Sequence, residues 1–262
     1  MPIAIAPPVM AQNIYDNPEF FEAFRQLKKN GAKIGQIGGS MSVDFLAGVL
    51  PPLSGAAVLD LGCGDGWFSK WALEQGAAST HGIDVSESQL GLARESTDAM
   101  GASDRAIWER ADLDRVVLKE KAYDLVFSSL AIHYLKDLNG VLKKIAASLK
   151  PGGSVYFSVE HPLYTAPHRR ETCKGPDGTW LPHWPVTQYW EEGDRLHFWL
   201  GKDVEKSHFT IQTYVNSVLG AGLALTYFYE WTRPNDGAYA GQAWWMASSI
   251  GPSFLMLGGK KL

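Results

Sequence analysis

Asp60 lies near the end of a short apolar run, Ala56 to Leu61, and Gly62-Cys63-Gly64-Asp65-Gly66 follows directly. Glycines alternating with other residues permit a sharp turn and let a ligand approach the backbone closely. A helix starting at Trp67 would aim its first N–H groups at an anionic part of that ligand. Asp84, about 20 positions past the first glycine, is placed to hold ribose hydroxyls where a doubly wound sheet reverses its strand order. Cys63, between two glycines, reads as a small buried filler rather than a nucleophile. A second group could move protons: His133, and the adjacent pair Glu160-His161 followed by Pro162. Glu160 and His161 fall at the carboxyl end of an expected strand, the edge where open α/β sheets bind ligands.

The elements that must position these groups alternate. Apolar strand runs are expected at 56–61, 80–85, 105–110, 123–129 and 154–159. Helices are expected at 67–75, from Ser86 to about Met100, and from about 138 to 149. Ser86 with Gln89 three residues on forms a capping-box pattern. Strands alternating with helices imply a parallel sheet covered on both faces. Before the first strand, Phe20, Phe21, Phe24 and Leu27 recur at helical spacing, and a short helix is expected at 41–49. From Glu160 to about His208 no comparable periodicity appears. That stretch carries Trp180, Trp184, Trp190 and Trp199 and the histidines His161, His168, His183, His197 and His208. The alternation resumes with a helix at 209–220, a strand at 223–231 and a last strand at 253–258.

The chain has 262 residues and a formal net charge of −4. Its basic residues form no patch, so nucleic acid and anionic membrane are not expected partners. Two cysteines make no disulfide framework, and a reduced, cytoplasmic setting is the reading. The five histidines match no compact ligand signature, so no metal is expected.

A dinucleotide fingerprint would require glycine where Trp67 stands, and Asp60 would repel a pyrophosphate. This weighs against a nicotinamide oxidoreductase. A carboxylate for an amine, a glycine turn and a carboxylate for a ribose point instead to S-adenosylmethionine. Three further segments carry a family resemblance: Ala111-Asp112-Leu113, the run Tyr123-Asp124-Leu125-Val126-Phe127-Ser128-Ser129-Leu130-Ala131-Ile132-His133-Tyr134, and Leu149-Lys150-Pro151-Gly152-Gly153. With the glycine turn, they resemble class I S-adenosylmethionine-dependent methyltransferases of the ubiquinone/menaquinone-biosynthesis-like (type 11) group. The resemblance spans about residues 55–160. It implies a Rossmann-like α/β fold, one domain over 1–262, with a seven-stranded sheet of order 3-2-1-4-5-7-6 whose last strand is antiparallel. Residues 1–50 would form an N-terminal arm and cap helices, and 161–208 a lid inserted after the fifth strand.

The resemblance also implies roles. Asp60, Gly62, Cys63 and Gly64 would surround the methionine part of the cofactor, with Ser128 and Ser129 beside it. Asp84 would take the ribose, with Val85, Asp112 and Leu113 at adenine and Tyr15 covering the cofactor. Methyl transfer is an in-line displacement that needs an aligned acceptor and excluded water. An acceptor that carries a proton also needs a base, and His161, His133 and Glu160 are the candidates, His161 first. The aromatic stretch suits a small, flat or apolar acceptor reacting at oxygen or nitrogen. A binding protein that keeps the fold without turnover is the alternative. Tyr214 and Asn216 are further candidates for the acceptor side.

Overall fold

The computed structural model describes residues 12–31, 43–168, 175–179, 186–231 and 251–262. Seven strands form one sheet: β1 (Ala57–Leu61), β2 (Ser79–Asp84), β3 (Ala106–Arg110), β4 (Tyr123–Ser129), β5 (Leu149–Glu160), β8 (Leu223–Trp231) and β9 (Phe254–Lys261). Their order is β3-β2-β1-β4-β5-β9-β8. The first five pair in parallel, and β9 runs antiparallel to both β5 and β8. This is the expected order. The strand numbers shift because two further strands, β6 (Gly193–Trp199) and β7 (Lys202–His208), form a separate antiparallel hairpin.

Side-chain alternation sorts each strand between two cores. Leu59, Leu61, Val126, Val155, Phe157, Leu255 and Leu257 pack on one face, against α5 (Leu138–Ser148) and α7 (Ile211–Gly220). Val58, Leu125, Phe127, Tyr156 and Met256 pack on the other, against α2 (Val43–Val49) and α3 (Trp67–Glu74). Both faces are covered, which is why β1 and β4 read as nearly continuous apolar runs. Trp67 packs edge-on against Phe68 and Phe127, so it serves that second core.

Caps fix where helices begin. Ser86 Oγ accepts the Gln89 N–H at the start of α4 (Glu87–Ala99). The reciprocal half of the expected capping box is missing, because the Ser86 N–H goes to Asp84 Oδ1 at 2.9 Å. Asp137 and Thr210 cap α5 and α7 in the same way. The N-terminal α1 (Pro18–Gly31) follows a single 3₁₀ turn at Ile14–Asp16. Among the described residues no helix is long and apolar enough to cross a membrane.

The hairpin was not legible as strands because its pattern is inverted. Arg195, His197, Val204, Lys206 and His208 are buried, while Leu196 and Phe198 are 47% and 66% exposed. Arg195 explains part of this. Its guanidinium donates to the carbonyls of Ala166, Asp194, Gln188 and Glu191, tying the hairpin to the end of α6 (Pro162–Thr165) and to the turn before β6. His208 does similar work: Nε2 donates to the Tyr189 carbonyl at 2.9 Å, and Nδ1 accepts from Thr165 Oγ1 at 2.8 Å. Trp180, Trp184, His183, Cys173, the arm at 1–10 and Trp244-Trp245-Met246 lie outside the described residues.

Candidate functional site

The three glycines of the turn all have positive φ, 67° at Gly62, 53° at Gly64 and 74° at Gly66. They differ in what surrounds them. A Cβ on Gly62 would lie 2.2 Å from Ala131 Cβ, and one on Gly66 2.5 Å from the Trp108 ring. Gly64 meets nothing nearer than Gln89 Oε1 at 3.9 Å. Gly62 and Gly66 therefore let protein pack on protein, and Gly64 alone borders open space. Gly62 and Cys63 both donate their N–H to the Ile83 carbonyl, which locks the turn to β2.

Asp84 joins the turn to the next loop. Its Oδ2 accepts the Gly64 N–H at 2.8 Å and its Oδ1 the Ser86 N–H. A carboxylate has about four acceptor sites, so lone pairs remain for hydroxyls arriving over Gly64. Burial raises the Asp84 pKa above the usual carboxylate value. Asp60, expected beside the methionine part of the cofactor, has a partner on the next helix. It shares strand parity with Val58 and points to α3, where its carboxylate accepts Ser69 Oγ at 2.8 Å and the Ser69 N–H. Gly66 supplies no side-chain cap for that helix, so Asp60 supplies it. Burial pushes Asp60 up to about 7. Cys63 is buried, burial raises its thiol pKa, and its N–H and carbonyl serve the turn itself.

The remaining expected contacts divide. Leu113 Cδ1 would sit 4.0 Å from a Cβ on Gly62, so its side chain borders the turn. Asp112 Oδ1 accepts the Asp114 N–H, and Oδ2 lies 3.7 Å from the Arg115 guanidinium. Ser128 is buried and donates to the carbonyl of Leu61, the residue just before the glycine turn, at 2.8 Å. Ser129 ends β4 in register with Ser158. Leu130 follows with φ of 55°. That conformation costs a non-glycine residue about 1 kcal/mol, and the Leu130 N–H bond to the Ser158 carbonyl holds it. The Val85 carbonyl accepts Arg110 Nε and Asn13 Nδ2.

The N-terminal segment closes one side. Asp16 accepts from Ser86 Oγ and from the N–H groups of Glu87 and Ser88, at the start of α4. These bonds outweigh burial and hold Asp16 far below the usual carboxylate range. Tyr15, carried over by the same segment, sits near both Asp84 and Glu160, whose charges add to burial in raising its phenol. Its ring packs edge-on against Phe20 and Phe24, which pack against Trp199 of the hairpin.

The proton-moving group is rearranged from expectation. A neutral imidazole has one lone-pair nitrogen. His161 spends it as an N-cap, its Nδ1 accepting the Leu163 N–H, and its Nε2 then donates to Glu230 at 2.7 Å. Burial lowers the pKa of this ring, against the opposing pull of Glu230. His133 Nδ1 accepts the Glu160 N–H at 3.4 Å. Each histidine thus turns its Nδ1 to a backbone N–H, and His161 is fully buried. Glu160 accepts from Lys206 Nζ at 2.6 Å. Tyr214 is buried against Phe157 and Phe209, and Asn216 faces solvent. Among the described residues no three His, Cys, Asp or Glu side chains gather as metal ligands.

Comparison with known proteins fits this geometry. Residues 58–153 match the family described as "Methyltransferase domain". A solved S-adenosylmethionine-dependent methyltransferase from Mesorhizobium loti is 36% identical, covers 83% of this chain and 96% of its own, and superposes with a TM-score of 0.70. The chain belongs to the S-adenosylmethionine-dependent methyltransferases. A structure from Listeria monocytogenes, assigned to the same enzyme class, is 34% identical over 84% of this chain and 97% of its own, with a TM-score of 0.73. Ubiquinone biosynthesis O-methyltransferase of Bordetella avium is 29% identical over 119 residues, 45% of this chain and 48% of that enzyme.

The methyltransferase uses S-adenosylmethionine as its cofactor. Its charge set fits that molecule. Asp84 and Asp65 act on Asp60 beside the glycine turn, and Asp16 acts on Asp84. With Asp16 ionised and Asp60 and Asp84 ready to give up their protons to a cation, this acidic set favours a sulfonium and an ammonium and disfavours a pyrophosphate. Sequence reading missed two residues here. Lys206 lies on the inverted hairpin. Gln89, expected only as a cap residue, turns its Oε1 toward Gly64.

Proposed function

We propose that this methyltransferase transfers the methyl group to a small, flat metabolite held at the carboxyl ends of β4 and β5. The single observation that carries this is the aromatic cluster around the Lys206–Glu160 pair: Tyr15 and Tyr134 meet at their hydroxyls, 3.3 Å apart, and the Tyr134 and Trp199 rings lie against the Lys206 ammonium. Such rings make apolar walls with polar tips. The hairpin of β6 and β7, within the 161–208 stretch, and the N-terminal segment act as the cover of that acceptor side. Asp84, Gly64 and Leu113 hold the cofactor, and Tyr15 separates it from bulk water. When bound, S-adenosylmethionine supplies the methyl group, and the C–S electron pair stays with sulfur. Glu160 is the proton acceptor, because both histidines use their lone pairs on backbone N–H groups. The ubiquinone/menaquinone-like subgroup is supported by the motif resemblance and by the partial match to the Bordetella enzyme. A cytoplasmic setting is supported by the absence of a cysteine framework in the sequence.

The test is isotope-labelled S-adenosylmethionine with small phenols, amines and thiols, run beside DNA, RNA and protein acceptors. Label moving to the small aromatic acceptors supports the proposal. Label moving only to a macromolecule contradicts it.

A further inference from the structure

The hairpin places a cation where sequence reading expected only aromatic lid residues. Lys206 Nζ is held between three groups: Glu160 Oε1 at 2.6 Å, the Trp199 ring centre at 5.4 Å and the Tyr134 ring centre at 5.7 Å. The Lys206 side chain is 4% exposed and that of Glu160 14%. Taking both charges out of water costs several kcal/mol per ion, and a plain apolar pair would often serve stability as well. The pair joins the end of β5 to the hairpin, under the Trp199 ring and the Tyr134 ring, whose hydroxyl meets that of Tyr15. Arg195, the neighbouring buried cation, spends its donors on backbone carbonyls. Lys206 instead meets a carboxylate and two ring faces, which keeps its charge at the acceptor side.

We propose that Lys206 and Glu160 together select and activate an acceptor bearing a weakly acidic hydroxyl, a phenol or an enol. This rests on the acceptor placement given above and narrows it to oxygen. The charge pattern makes the choice. A protonated amine would be drawn to Glu160 and repelled by Lys206. A carboxylate would meet the reverse. A neutral hydroxyl satisfies both: its O–H donates to the Glu160 carboxylate while its oxygen accepts from the Lys206 ammonium. As the oxygen lone pair forms the new bond to the methyl carbon, the hydroxyl proton passes to Glu160, which later releases it to water. Lys206 stabilises the negative charge that gathers on oxygen before the bond is complete. Buried as it is, that charge–charge contact acts more strongly than in water. The flanking rings of Trp199 and Tyr134 accept a flat acceptor and keep the ammonium in place.

The probe is 4-nitrophenol, whose absorbance separates phenol from phenolate. It is titrated into the full chain saturated with S-adenosylhomocysteine, at a pH below its own pKa. The wild type should bind it largely as the neutral phenol, with a minor phenolate fraction. Lys206→Met keeps the stem and removes the charge, and should lower the bound phenolate fraction and weaken binding about tenfold. Glu160→Gln leaves Lys206 unopposed, and should raise the bound phenolate fraction. A merely structural tie between β5 and the hairpin predicts that both variants shift in the same direction. Same-sign shifts, unchanged spectra, or no 4-nitrophenol binding by protein that binds S-adenosylhomocysteine would each overturn the inference. In those cases label transfer to amines or thiols at the same site would leave the broader acceptor reading intact. If Lys206→Met does not fold, the sign of the Glu160→Gln shift decides alone.

Discussion

At the glycine turn, the surface offered to a ligand is mostly backbone. Gly64 presents an open face, and Asp84 is aimed by two backbone N–H groups. At the hairpin, the surface is all side chain: Lys206, Trp199 and, behind them, Arg195 and His197 buried where a hairpin usually buries apolar residues. The cofactor side is fixed by local chain geometry over a few consecutive residues. The acceptor side depends on contacts between residues far apart in the chain, such as Glu160 with Lys206 and Tyr15 with Tyr134. An enzyme family that keeps one cofactor and varies its acceptors would be expected to place the two jobs in these two kinds of structure.

That contrast can be sharpened by substitution. Gly62→Ala should cost most, about 4 kcal/mol, from the clash with Ala131 and the positive φ together. Gly64→Ala has room for its methyl and should cost about 1 kcal/mol of stability, yet still block the close approach of cofactor. Denaturant unfolding of the pair checks this, and equal losses would show that Gly64 is a packing glycine too. Arg195→Met should cost about 3 kcal/mol, since it leaves buried carbonyls unpaired. Cofactor affinity should stay within twofold, because the hairpin is separate from the glycine turn. A large loss of cofactor affinity would break the division between the two regions.

Asp60 gives the smaller effect, with a sign that depends on pH. Its carboxyl stays protonated in the folded chain up to about pH 7, while the unfolded chain releases the proton near 3.8. The folded state then holds more protons across that window, so stability falls as pH rises through it. The full cost of such a displacement is about 4 kcal/mol. Asp60→Asn keeps one oxygen for Ser69 and carries no charge, so it should stabilise the apo protein by about 2 kcal/mol at pH 8. It should also flatten the pH dependence between 4 and 7. Thermal unfolding across that range checks it, and a destabilised variant at every pH would mean that the charged form is what α3 needs.

The sheet order and the strand–helix alternation were legible because parallel strands buried on both faces leave unbroken apolar runs, as at Val58-Leu59 and Leu125-Val126-Phe127. The glycine turn was legible because its φ values admit few residue types. Single side chains were harder. Asp60 sits in the expected motif, but strand parity with Val58 sends it to α3 and Ser69. Parity could have been read from the sequence. The Ser128 bond to the Leu61 carbonyl, between neighbouring strands, could not be read from spacing. The hairpin was not legible at all: its buried Arg195, His197, Lys206 and His208 alternate with exposed Leu196 and Phe198, the reverse of the pattern that marks a strand. His161 was the leading base candidate from its neighbours, and its contacts with the Leu163 N–H and Glu230 depend on residues the sequence does not bring together.

The most direct test of the cofactor site is calorimetric titration of cofactor-free protein with S-adenosylhomocysteine and S-adenosylmethionine, for wild type and Asp84→Ala, with NADH as control. Micromolar binding that weakens at least tenfold in the variant, about 1.4 kcal/mol, with no response to NADH, is the predicted result. Unchanged affinity in Asp84→Ala would contradict it, and would place the cofactor away from the turn that Asp84 holds.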